Sequence, residues 1–124
     1  MNPRYFLTWL LCVLLTACGS NGLASVASKM EVEIDNQSSR ALENTQARFG
    51  DNVCKWGHVG KKYSASYMFY PHPITAKTEL HWDENGKHRV EKLDLSNIYS
   101  AGKSGRLTFT VYDGHVEVSF REKS

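Results

Sequence analysis

Cysteine and proline are scarce, with 3 of each in 124 residues, and neither charge dominates: 15 Lys and Arg stand against 13 Asp and Glu, a net +2. So even a balance lacks the basic excess on which nucleic-acid binding rests. Long apolar runs are missing too. Tyr5 to Leu15 has about eleven residues, roughly half of what a membrane-spanning helix needs. Catalytic signatures are also absent. There is no GxSxG, no HExxH and no glycine-rich phosphate cradle. The five histidines, His58, His72, His81, His88 and His115, lack the spacing of a zinc finger or a helical metal motif. Cys54 and His58 would share a strand face roughly 13 Å apart, too far for a catalytic pair. No catalytic residue, metal site or cofactor is therefore expected. What is present, 41% hydrophobic and 23% charged residues, fits one small globular domain.

The N-terminus carries an address. Arg4 precedes the short apolar run, and Leu15-Thr16-Ala17-Cys18-Gly19 follows it. A charged start, a short apolar centre and small residues at its end form a secretory signal. With a cysteine placed just after Ala17, the segment resembles the lipobox of bacterial lipoproteins. The resemblance implies transfer of a diacylglyceryl group to the sulfur of Cys18 and cleavage between Ala17 and Cys18. Each buried methylene contributes about 0.8 kcal/mol, so two or three acyl chains make a lasting membrane anchor. Gly19 stands where inner-membrane lipoproteins of enteric-type bacteria carry Asp, which points to the outer membrane, facing the periplasm. The chain then divides into a signal peptide at 1–17, a lipidated cysteine and flexible tether at 18–29, and a domain at 30–124. Cys12 leaves with the signal and Cys18 takes lipid, so Cys54 has no intramolecular disulfide partner. Beside Val53 and Trp56 it reads as a small buried apolar side chain.

From Met30 onward, period-two alternation dominates. Met30, Val32 and Ile34 alternate with acidic residues until Asn36-Gln37-Ser38-Ser39 breaks the run. Leu42–Arg48 fits a helical turn or a strand, with a strand preferred near Thr45–Phe49; then come a turn at Phe49–Asn52 and strands at Val53–Val59 and Lys62–Tyr70. Pro71-His72-Pro73 ends the last of these. Thr75–Trp82 and His88–Leu95 flank Asp83–Lys87, whose Asn85-Gly86 signals a hairpin. Two registers fit. A two-residue loop pairs Trp82 with Arg89 and Leu80 with Glu91. A three-residue loop pairs Leu80 with Val90 and is preferred because it opposes apolar residues, although Leu93 and Leu95 then need a bulge. In that preferred register His81 and His88 fall on opposite faces and cannot share a metal. A final hairpin turns at Asp113-Gly114, with Gly114 at positive φ. The fold class expected is all-β, a small antiparallel β-sandwich of about eight strands. The order of features is similar to small immunoglobulin-like domains of bacterial envelope proteins, here following a cleaved signal helix. A small barrel is the second architecture considered.

Tyr67-Met68-Phe69-Tyr70 must place aromatics on both faces of its strand. Tyr67, Phe69, Tyr70 and His72 are therefore candidates for an interaction surface, and Asn85 is a further candidate at the hairpin tip. The expected function is a lipid-anchored, non-catalytic binding module of the bacterial envelope. Its partners would be the membrane, through Cys18, and a protein, with no nucleic acid. The alternative is an immunity protein that neutralises a toxin delivered into the periplasm, using the polar loops Asp83–Lys87 and Ser96–Gly105.

Overall fold

A computed structural model describes residues 30–123. The signal peptide, Ala17, Cys18 and the tether lie outside the described residues. Eight strands follow in order: β1 (Met30–Asn36), β2 (Leu42–Phe49), β3 (Asn52–Val59), β4 (Ser64–Tyr70), β5 (Lys77–Glu84), β6 (Lys87–Asp94), β7 (Gly105–Val111) and β8 (Val116–Glu122). Among the described residues there is no helix. The strands form two four-stranded sheets, ordered β4-β1-β7-β8 and β3-β2-β5-β6. This is the expected sandwich, with one departure from an all-antiparallel design: β1 runs parallel to β7, in register from Met30–Gly105 to Asn36–Val111. β1 lies between β4 and β7, which run in opposite directions, so it is antiparallel to β4 and parallel to β7.

The alternation explains the packing. Met30, Val32, Ile34 and Asn36 are buried along β1, as are Leu107, Phe109 and Val111 along β7. From the other sheet come Leu42, Ala47, Phe49, Cys54, Val59, Leu80 and Trp82. Aromatic rings bridge the layers: Phe49 lies 6.3 Å from Phe109 and 5.6 Å from Tyr70, and Trp56 meets Phe109 edge-on at 6.1 Å. Polar clasps join the sheets as well. The Trp56 indole N–H donates to the Val32 carbonyl at 3.2 Å. Asn36, which the sequence pattern marks only as the end of a strand, is fully buried. Its amide nitrogen donates to the carbonyls of Arg40, Val59 and Gly60 at 2.7, 3.1 and 3.2 Å. Its oxygen accepts from the Ser38 backbone N–H at 3.0 Å and the Ser38 hydroxyl at 2.6 Å.

The central hairpin adopts the register that was not preferred. Trp82 pairs with Arg89 and Leu80 with Glu91, around a two-residue turn of Asn85 and Gly86 at φ 49° and 72°. Positive φ at both central residues is the turn whose twist matches paired strands. This register turns Leu93 and Leu95 toward the core without a bulge, at the expense of leaving Val90 exposed. Two apolar residues far from the turn, together with the turn itself, outweigh one apolar match near it. The β2 strand begins at Leu42, and its register against β3 shifts between the Leu42–Val59 and Thr45–Gly57 pairs, where Asn44 takes φ 51°. Asparagine tolerates that conformation better than most residues. Gly105 opens β7 instead of closing a loop, and a Cβ there would collide with the Arg121 carbonyl of β8. At the last turn, positive φ is not found at Gly114. The loop is closed by the Tyr112 N–H donating to the His115 carbonyl at 2.9 Å, with the two rings stacked 4.8 Å apart.

Candidate binding surface

The β4 edge departs from simple alternation. Val32 pairs with Tyr67 and Met30 with Tyr70, so Met68 and Phe69 together oppose Glu31 alone. The extra residue is accommodated by Phe69 at φ 55°, a left-handed conformation that bulky side chains rarely adopt. The bulge has two effects. It brings Tyr70 to the core side, where it is 1% exposed, and it holds Phe69 outward at 66% exposure beside Met68. Tyr63 and Tyr67 continue the exposed aromatic edge.

The sequence-derived surface residues thus separate. Tyr67, Phe69 and His72 are exposed on and just after β4, with the His72 ring edge-on to Tyr70 at 5.5 Å. Tyr70, expected at the surface, is instead a core residue, because the bulge turns it inward. Its hydroxyl is buried with no hydrogen-bond partner among the described residues, and burial pushes its pKa up to about 12. Asn85 is exposed but caps a hairpin of the opposite sheet. Met30, Glu31, Met68, Phe69, Arg106 and Arg121 line a groove of about 400 Å³ at this end of the first sheet. Half-exposed Arg106 is tied to the mostly buried Glu31 at 3.2 Å. Met68 and Phe69 are the exposed large apolar side chains of the groove.

Cys54 is fully buried, and desolvation raises its thiol to about 12. Burial thus disfavours the thiolate, the form in which a cysteine reacts. The His58 ring engages Glu43 at 2.6 Å instead.

The hairpin register brings together residues expected to be apart. Asp83 lies opposite His88 and His81 opposite Val90, so both histidines share the outer face. Their rings form the middle of a chain. Glu79 Oε1 is 2.8 Å from His81 Nε2, His81 Nδ1 is 3.1 Å from His88 Nε2, and His88 Nδ1 is 2.7 Å from Asp83 Oδ1. Asn44, on the β2 bulge, donates to the other Asp83 oxygen at 2.8 Å. The hydrogen bond from Asn44, and then that from His88, lowers the Asp83 pKa; the bond from His81 lowers that of Glu79. His81 is buried and His88 about half exposed. Among the described residues no group of three or more His, Cys, Asp or Glu side chains is placed to hold a metal ion together. The sequence signal for this cluster was the Asn-Gly turn, which dictates the register that aligns it.

Comparison with known proteins bears on the fold. The structure is similar to an NMR structure of a protein from Eubacterium rectale, with a TM-score of 0.52 over 78% of this chain and 92% of that one, at 13% identity. No protein-family model and no curated protein sequence matches the chain.

Proposed function

We propose that this protein is a lipid-anchored, non-catalytic binding module of the bacterial cell envelope, and that it presents the β4 edge to a protein partner. The observation that carries this is Phe69. A bulky side chain held both at positive φ and in water gains neither backbone comfort nor burial. Strained, exposed aromatics are retained where something binds them, and aromatic residues with Met are enriched in contact surfaces. The lipobox-like LTAC at 15–18 supports the anchor. The segment 18–29 enters the domain at Met30, which borders the same groove as Phe69. Extended, such a tether reaches roughly 40 Å, enough to lift the β4 edge clear of lipid headgroups.

The test is site-specific photo-crosslinking in living cells. A photoreactive side chain at position 69 is expected to give a discrete protein adduct. The same group at Lys55, exposed on β3 of the other sheet, is expected to give none. Absence of an adduct from 69, 68 and 63 alike, or equal adducts from Lys55, overturns the assignment of this edge.

A further inference from the structure

We propose that His81 and His88 form a binding site for a divalent transition-metal ion of the zinc class, with two imidazole ligands and the remaining positions open to water. The hydrogen bonds on the outer face of β5 and β6 leave two ring nitrogens facing each other. A neutral imidazole has one N–H and one lone pair. Glu79 engages the outer nitrogen of His81, and Asp83 engages the outer nitrogen of His88. Each carboxylate only accepts, so each ring spends its N–H on it. The inward nitrogens, His81 Nδ1 and His88 Nε2, are then both lone pairs, 3.1 Å apart. Two lone pairs at that distance repel unless a cation lies between them, and that cation is either one shared proton or a metal.

The surroundings match a metal. Imidazoles that ligate metals commonly donate their other N–H to a carboxylate, which fixes the tautomer and strengthens the ligand; here both rings do so. Asn44 in turn orients Asp83. With metal–nitrogen bonds of about 2.0–2.1 Å, two ligating nitrogens lie about 2.9 Å apart at a right angle and about 3.3 Å apart at the tetrahedral angle. The observed separation falls between these. Ligation also needs the two lone pairs to converge from different directions. The half-exposed His88 ring, on the sheet's edge strand, has freedom to turn, whereas buried His81 is the fixed ligand. Glu79 and Asp83 offset the ion's charge, while Arg48 and Lys92 lie near enough to act on Glu79 and oppose it. Nitrogen ligands favour zinc, copper or nickel over calcium or magnesium.

The purified full chain, labelled with ¹⁵N at histidine, is titrated with zinc chloride. Binding of one ion is expected, with the largest ¹⁵N shifts at His81 Nδ1 and His88 Nε2. His88→Ala is expected to weaken binding at least tenfold. Asp83→Asn is expected to weaken it roughly tenfold through the outer hydrogen bond. His115→Ala, on the other sheet, is expected to leave it unchanged. Because His88 is half exposed, its replacement preserves the fold, which the remaining NMR spectrum verifies. Unshifted inward nitrogens under excess zinc, a spectrum of one shared proton that zinc does not displace, or full affinity in His88→Ala each overturns the proposal.

Discussion

Replacing Asn36 tests whether a single buried amide holds the two sheets together. The side chain makes five hydrogen bonds, and those to the Val59 carbonyl, the Ser38 N–H and the Ser38 hydroxyl are fully buried. Each such bond contributes about 1 kcal/mol net, so Asn36→Ala is expected to cost about 3 kcal/mol. For a domain of this size that lowers the thermal midpoint by roughly 10–20 °C. Asn36→Asp separates polarity from shape. It keeps the acceptor for Ser38 but turns a second oxygen toward three carbonyls, which disfavours the charged form and raises the carboxyl's folded-state pKa above its usual value near 4. A raised folded pKa means the favourable contribution is present in acid and is lost as pH rises through that value. Relative to the unaltered protein, Asn36→Asp should therefore be strongly destabilised at pH 7 and recover toward pH 4. Tryptophan fluorescence during thermal unfolding reports this, because Trp56 packs on Phe109 in the same core. A midpoint loss under about 3 °C for Asn36→Ala, or a pH-independent penalty for Asn36→Asp, would refute the clasp.

Four further outcomes follow from other contacts. Cys18→Ser should abolish incorporation of a fatty-acid analogue and release the chain from membranes; unchanged labelling removes the anchor. Gly105→Ala drives a Cβ into the Arg121 carbonyl and should cost about 1–3 kcal/mol in denaturant unfolding, with no loss if β8 simply shifts aside. Tyr70→Phe deletes a buried hydroxyl that has no partner among the described residues and should be neutral or stabilising, so a loss above about 1.5 kcal/mol would reveal a bond to that oxygen. Asp113 accepts from the Ser39 N–H and hydroxyl, both at 2.8 Å, and these bonds lower its pKa from 3.8. A lowered folded pKa gives stability that is present above the unfolded value and lost as pH falls through the folded one. Asp113→Asn should thus flatten the loss of stability below pH 4, and an unchanged acid limb would dismiss the contact.

Strand content was legible because β1, β7 and β8 alternate cleanly and Asn-Gly marks one turn without ambiguity. Sheet order was not, since nothing local says that β1 lies between β4 and β7. Long-range pairing is settled by the whole core at once. Asn36 shows the same gap at one residue. A polar residue at the end of an apolar run looks like a turn, and only its distance to the Val59 carbonyl reveals a buried anchor. The exposed aromatics were partly legible. Consecutive Tyr67-Met68-Phe69-Tyr70 had to divide between two faces, but the bulge that decides the division depends on Phe69 taking a conformation its residue type disfavours.

In the hairpin, a one-residue difference of register changes the chemistry of the outer face. Side chains alternate with period two, so shifting β6 by one residue against β5 exchanges every side chain between faces. Opposing Leu80 to Val90 hides the relation between His81 and His88; opposing Leu80 to Glu91 places their nitrogens 3.1 Å apart between two carboxylates. The turn decides which occurs, because Asn85 and Gly86 both adopt positive φ and leave no room for a third loop residue. Gly86→Ala should then act on two observables together. Strain at positive φ should cost about 1–2 kcal/mol, and any slip toward a longer loop should pull the histidines onto opposite faces. Cross-strand nuclear Overhauser contacts between the His81 and His88 rings measure the second effect directly. If the glycine substitution costs stability while those contacts and zinc binding persist, the register is held by Leu93 and Leu95 packing rather than by the turn.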